Sequence, residues 1–363
     1  MNIEALISQN PYKLRRLQKR KLLGELLCEL TEFHQSRSEP YRKLLAAIPS
    51  RWETVQDIES LPMLPVRLFK QHELRSVPRE SVIKTLTSSG TTSQVVSRIF
   101  LDKETSVLQT KALVSIMSSF VGNQRYPMIF VDSKDVIKDR TSFSARGAGL
   151  LGLSFLGRSH FYMLDGDMNI QWDALKQYLD DHKDENILFF GFTFMVWQYF
   201  YLQAAEQGIQ LQLPGSMLIH SGGWKKLIDM AVDNQTFKDR LKDQLGIQKV
   251  HNFYGMVEQI GSVFVECEEG HLHAPDFADV MIRDPLTLEV LPAGQSGLIQ
   301  TLSILPRSYP GHSLLTEDLG TILGEDDCPC GRHGKYFQVH GRLPAAELRG
   351  CSDTHAFEEV SRT

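Results

Sequence analysis

Four short apolar runs, spaced widely through the middle of the chain, constrain the fold more than anything else in the sequence. They are Met128-Ile129-Phe130-Val131, Ile187-Leu188-Phe189-Phe190, Met217-Leu218-Ile219-His220 and Val250-His251-Asn252-Phe253-Tyr254. Longer stretches with helical periodicity separate them, and that alternation predicts crossover units around a largely parallel sheet. After about Gly261 the helical patterns fade. Val280-Met281-Ile282 and Leu298-Ile299-Gln300-Thr301-Leu302 are divided by turns bearing proline and glycine, which predicts a smaller, more antiparallel β subdomain. Upstream, Leu22, Leu23, Leu26, Leu27 and Leu30 recur on one helical face. The expected organisation is a helical cap region over 1–80 and an α/β core over 81–340, whose β subdomain starts near 261. A short tail, 341–363, carries Cys351.

Composition excludes several classes. With 363 residues, 42% of them hydrophobic, the chain can bury a substantial core as one large domain plus a smaller one, or two. A net charge of −5 leaves no basic excess, and the densest basic run, Lys13 to Lys21, lies on a leucine-bearing helical pattern. Nucleic acid is therefore not an expected partner. No run reaches the roughly 18 apolar residues of a spanning helix, and Met1-Asn2-Ile3-Glu4 lacks a signal-peptide layout, so no membrane span and a cytoplasmic location are expected. Five cysteines are too few for a disulfide framework, which leaves metal binding or thiol chemistry. Cys28, inside the leucine pattern, is expected to be an inert core residue.

Three groups of residues carry candidate chemistry. Thr87-Ser88-Ser89-Gly90-Thr91-Thr92-Ser93 sets six hydroxyls around one glycine after a strand expected over Ser81–Leu86. Hydroxyls and free N–H groups in a tight turn wrap phosphate oxygens, although a Ser/Thr-rich surface loop has the same composition. Cys328-Pro329-Cys330, with Cys267 and either His271 or His273, gives two ligand pairs on separate segments, the plan of a structural zinc site. The alternative is buried cysteines and surface histidines. Phe190, Phe192, Phe194 and Trp197 suit either an apolar acid-binding pocket or a buried strand.

Ser88-Ser89-Gly90-Thr91-Thr92 resembles the phosphate loop of the adenylate-forming superfamily, and other motifs follow in order. Ser221-Gly222-Gly223-Trp224 is similar to the superfamily's glycine pair at adenine. Tyr254-Gly255-Met256-Val257-Glu258 is similar to its Tyr-Gly-x-x-Glu element, where the tyrosine borders adenine and the glutamate helps hold magnesium. Thr316-Glu317-Asp318 resembles its Thr-Gly-Asp element, with glutamate in place of glycine and the ribose-binding aspartate kept as Asp318. Gly341-Arg342 resembles its hinge pair. The resemblance implies ATP and Mg2+ as cofactors. Phenylacetate-CoA ligase relatives have a segment like Glu266–His273, a likeness that favours Cys267, His273, Cys328 and Cys330 as ligands of a structural Zn2+.

The ending Gly341-Arg342-Leu343-Pro344-Ala345-Ala346-Glu347-Leu348-Arg349-Gly350-Cys351-Ser352 resembles the LuxE-type acyl-protein synthetases, as do Pro62–Lys70 and Gly191–Phe194. This resemblance implies a chain without the superfamily's mobile C-terminal lid domain. It also implies that ATP activates a carboxylic acid, in all expectation a fatty acid, as acyl-AMP. Cys351 would then take the acyl group, with Thr91 and Glu258 serving catalysis, and pass it to a partner such as an acyl reductase. Two alternatives stand beside it: a lidless ligase acting on CoA or a carrier protein, and a non-catalytic module that binds nucleotide or acyl groups.

Overall fold

The structure is a computed structural model that describes residues 3–48, 58–88, 96–137 and 145–343. The chain divides into two compact units, one built mainly from residues 110–273 and the other from 12–86, 97–109 and residues beyond 273.

The first unit is a mostly parallel sheet. Its strands are β1 (Tyr126–Ser133), β2 (Gly157–Leu164), β3 (Leu188–Phe192), β4 (Met217–Ser221), β5 (Lys249–Tyr254), β6 (Phe264–Glu266) and β7 (Leu272–His273), in the order β2-β1-β3-β4-β5-β6-β7. Pairing is parallel from β2 to β5 and antiparallel from β5 to β7. The four apolar runs became β1, β3, β4 and β5. All eight residues of β1 are buried, as a parallel strand covered on both faces requires. Strand β2 escaped the sequence reading because it lies at the sheet edge: in Gly157-Arg158-Ser159-His160-Phe161-Tyr162-Met163-Leu164 the arginine, serine and histidine are exposed. Three consecutive exposed polar residues in its first half leave only Phe161–Leu164 as an apolar run.

The crossover helix Asn234–Leu245 shows how local sequence sets an element. Asp233 caps it by accepting the Thr236 N–H at 2.9 Å, and Phe237, Leu241 and Leu245 recur at i, i+4 and i+8 and are buried. Each such side chain contributes roughly 1.5–3 kcal/mol of burial. Gly246 ends the helix at φ +73°, and a Cβ there would sit 2.6 Å from the Leu213 nitrogen, so only glycine fits.

In the second unit, β8 (Ala278–Arg283), β9 (Ser296–Ser303), β10 (Ser313–Glu325) and β11 (Lys335–Arg342) form an antiparallel sheet in that order. The helix Arg16–Arg37 buries Leu23, Leu27 and Leu30, while Leu22 and Leu26 are half-buried. Cys28 is half-buried rather than in the core; partial burial and the carboxylates of Glu32 and Glu29 raise its pKa, which disfavours the reactive thiolate. From the basic run, Lys19 is 2% exposed, donates to the Ala274 carbonyl at 2.9 Å and lies 3.8 Å from Asp279. The strand expected over Ser81–Leu86 is shifted. Pro78 leads into a 3-10 turn at Arg79–Ser81, and the extended segment is Lys84–Thr87, paired with Arg98–Leu101. Among the described residues no helix is long and apolar enough to cross a membrane.

Candidate active site

In open parallel sheets, ligands bind beyond the carboxyl ends of the strands, where successive connections leave in opposite directions. Here the chain runs from β1 to β2 on one side and returns to β3 on the other. At the end of β1, Asp132 is 1% exposed and is held by a bidentate pair with Arg146, whose Nε donates at 3.0 Å. At the end of β3, the Phe192 ring lies between two glycines: a Cβ on Gly149 would come within 3.1 Å of it and one on Gly222 within 3.2 Å. Of the four aromatic residues singled out in the sequence, Phe190 and Trp197 belong to the core, and Phe192 and Phe194 are partly buried.

The glycine-pair motif and the Tyr-Gly-x-x-Glu motif follow adjacent strands. Ser221 ends β4 in register with Phe253 of β5, and Tyr254 ends β5. Gly222 and Gly223 are exposed beyond β4, with Gly222 at φ +81°, a backbone state that disfavours any side chain. Trp224 packs edge-on against Trp197 at 5.4 Å. Gly255 is exposed, and Glu258, in a single 3-10 turn, is only 8% exposed. Acids are ordinarily surface residues, and among the described residues Glu258 is one of the few held inside, with Asp132, Glu266, Asp276 and Asp279.

Beneath the glycine turn lies a network that sequence reading missed. The Thr193 Oγ1 is 2.7 Å from the Gly222 carbonyl, 3.2 Å from the Ser221 carbonyl and 2.9 Å from His220 Nδ1. A hydroxyl has one proton to give, and the carbonyls accept only, so Thr193 donates to Gly222 and accepts from His220 Nδ1–H. That fixes the tautomer. His220 Nε2 is left as a buried acceptor without a hydrogen-bond partner, and burial pulls the ring's pKa down to about 3, with smaller contributions from Lys238 and His251. His220 closes an apolar run, so its sequence setting shows only a buried strand.

In the second unit, Asp318 of β10 and Arg342 of β11 are register partners, with Nε 3.7 Å from Oδ1. The Asp318 N–H donates to Thr316 Oγ1 at 3.1 Å, and that hydroxyl donates to the Ile299 carbonyl at 2.8 Å, so the motif's threonine shapes the bulge of β10 that presents the aspartate. Ser88 is half-buried. Ser89, Gly90, Thr91, Thr92, Ser93 and Cys351 lie outside the described residues.

Cys267, His273, Cys328 and Cys330 place their ligand atoms within 4.8 Å of one another. A tight turn follows Cys267, whose N–H donates to His271 while Gly270 N–H donates back to Cys267. The β6–β7 pairing carries His273 opposite Val265, and His273 is fully buried where His271 is half-buried. Three thiols and one imidazole, mostly buried, match the donors of a closed tetrahedral metal site.

The profile of the acyl-protein synthetase family LuxE matches residues 2–358. The long-chain-fatty-acid–luciferin-component ligase of Vibrio harveyi is 22% identical over 341 residues, covering 92% of this chain and 87% of that protein. Its counterpart in Aliivibrio fischeri is 24% identical over 344 residues, covering 92% and 88%. Among solved structures, an open conformation of 2-hydroxyisobutyryl-CoA ligase in complex with 2-HIB-AMP and CoA superposes with a TM-score of 0.69 at 17% identity, over 92% of this chain and 77% of that one. At that identity the superposition establishes the fold, which is that of adenylate-forming ligases. A family match over nearly the whole length, joined to this fold, places the chain in the LuxE acyl-protein synthetase family and makes it a ligase.

Proposed function

We propose that this protein is a cytoplasmic enzyme that activates a long-chain fatty acid with ATP and Mg2+ and hands the acyl group to Cys351. The observation that carries the reading is the pair of motifs at the carboxyl ends of β4 and β5: an exposed glycine turn beside a tyrosine, and a buried glutamate just beyond. The acid's carboxylate oxygen attacks the α-phosphorus of ATP and pyrophosphate leaves, giving acyl-AMP. The Cys351 thiolate then attacks the acyl carbonyl, AMP leaves, and a thioester remains for a partner of reductase type to take. The fatty acid follows the relatives, named as ligases of a long-chain fatty acid and a luciferin component, and the reductase-type partner follows the family resemblance of the sequence.

In this reading Ser88, Ser89, Gly90, Thr91, Thr92 and Ser93 hold the phosphates, Gly222, Gly223, Tyr254 and Gly255 border adenine, Asp318 binds the ribose hydroxyls and Arg342 marks the hinge. Glu258 anchors Mg2+, a hard cation that prefers carboxylate oxygen and offsets phosphate charge when bound. Cys267, His273, Cys328 and Cys330 hold one structural Zn2+ with no position open for chemistry.

Intact mass spectrometry after incubation with ATP, Mg2+ and myristic or palmitic acid should show one added acyl group, released by neutral hydroxylamine and mapped to Cys351. Cys351→Ser should keep ATP–pyrophosphate exchange and lose the stable thioester. Acylation only of added CoA, with Cys351→Ser as active as wild type, would replace this reading with a CoA ligase, the activity named for the superposed structure. Elemental analysis should find one zinc per chain, lost together with stability in Cys328→Ser; a stable, metal-free wild type would remove the zinc assignment.

A further inference from the structure

We infer that Thr193, locked by His220, is a positioning residue that clamps the Ser221-Gly222-Gly223 turn in the conformation that receives ATP. The inference rests on the adenylation reading above and adds to it a role for Thr193, which lies in the Gly191–Phe194 segment, and for His220, which belongs to no recognised motif.

The argument begins with the turn. Two consecutive glycines leave the backbone after β4 with more freedom than any other dipeptide would, and both are exposed. Packing does not fix Gly223, where a Cβ would meet nothing within 4 Å, and Gly222 abuts only the Phe192 ring. What restrains the turn is the Gly222 carbonyl, which takes the Thr193 proton at 2.7 Å, with the Ser221 carbonyl close by at 3.2 Å. Thr193 follows β3 directly and is 6% exposed, so its hydroxyl projects from a rigid element.

His220 makes the clamp directional. By donating Nδ1–H at 2.9 Å it occupies a lone pair of Oγ1 and leaves the hydroxyl proton free to point at the turn. The groups that face His220 are Phe237, whose ring centroid is 4.7 Å away, with the charge of Lys238 and the ring of His251 farther off. None is an acid that would favour the imidazolium, so the ring stays neutral at working pH and the donor arrangement does not switch.

The effect follows from populations. When only a fraction of molecules holds the binding-competent turn, the apparent dissociation constant rises by the inverse of that fraction, while ATP-bound molecules react normally. A merely structural threonine would instead affect stability, or both substrates alike.

The test is ATP–pyrophosphate exchange by wild type, Thr193→Val and Thr193→Ser with palmitic acid, recording KM for ATP, KM for the acid, kcat and the melting temperature. Thr193→Val should raise the ATP KM about tenfold, the result of a tenfold drop in competent population, with kcat and acid KM within about twofold. Thr193→Ser, which keeps the hydroxyl, should restore the ATP KM. An unchanged ATP KM in folded Thr193→Val would overturn the inference, as would equal increases in both KM values or failure of serine to restore. If Thr193→Val does not fold, Thr193→Ala, which adds no bulk, takes its place with the same expectations. A wild type that exchanges no pyrophosphate with any carboxylic acid would sink the adenylation reading and the clamp together; exchange by wild type with an unmoved ATP KM in the variant sinks the clamp alone.

Discussion

The same pair of side chains is buried twice in this molecule and does two different things. In the first unit Thr193 accepts from His220 Nδ1–H; in the second, Thr31 accepts from His312 Nε2–H at 2.9 Å. In both, the threonine proton goes to a main-chain carbonyl, the imidazole is left with one unpartnered buried nitrogen, and burial holds the ring pKa at about 3. What differs is the carbonyl at the far end. Thr31 donates to Leu27, one turn back in its own helix, whose hydrogen-bonding is already set, whereas Thr193 donates to an exposed glycine turn. His312 also stacks on His34 at 5.0 Å, and His34 spans Ser76 Oγ at 2.7 Å and the Pro306 carbonyl at 3.1 Å, closing the network on itself. A hydrogen bond contributes stability where its acceptor is already fixed, and shapes a site where its acceptor is otherwise free.

The largest expected effect tests the closed network. His312→Ala removes a fully buried ring and leaves the Thr31 and Tyr41 hydroxyls short of a partner, so denaturant unfolding should show a loss of about 3 kcal/mol. The ATP KM of the folded fraction should not move. A loss below about 1 kcal/mol would show that this network does not hold the second unit together.

Acid tests both networks. His34, His220 and His312 are all held neutral, chiefly by burial, with pKa values below the ordinary one. Their folded values are depressed, so the unfolded chain binds more protons below about pH 6.5, and stability falls as pH drops from there toward 3. His220 and His312, held at about 3, should each cost roughly 2 kcal/mol between pH 6.5 and 4.5. Unfolding curves of His312→Ala across that range should be shallower by about one proton; an identical slope would mean the ring is protonated in the native state.

The smallest effect is the sharpest comparison. Thr31→Val and Thr193→Val each delete one hydroxyl bonded to a buried imidazole, and each should cost about 1 kcal/mol of stability. Only Thr193→Val should raise the ATP KM. If Thr31→Val raised it equally, the distinction between the two networks would fail.

The parallel sheet was legible because buried parallel strands must be apolar on both faces, which left four runs to find. Strand β2 was hidden because its first half, Arg158-Ser159-His160, is polar and exposed at the sheet edge, which leaves only the short run Phe161–Leu164. The glycine turn, Glu258 and Asp318 were legible as motifs, since backbone freedom and fixed charge depend on residue type. Cys267 and the Cys328–Cys330 pair stood out as candidate ligands for the same reason. Between His271 and His273 the residue pattern alone was open and only the family likeness favoured His273; in the structure His273 is buried on β7, while His271 lies just before that strand and is half-buried.

The sequence by itself therefore determined residue chemistry and periodicity: the α/β class, the family and the motif order. The tertiary structure alone decided partners. Thr193 and His220 are 27 residues apart, Thr31 and His312 are 281 apart, and Lys19 meets Ala274 across 255. A hydrogen bond reaches about 3 Å, and no local pattern records which distant atom the fold will bring within it.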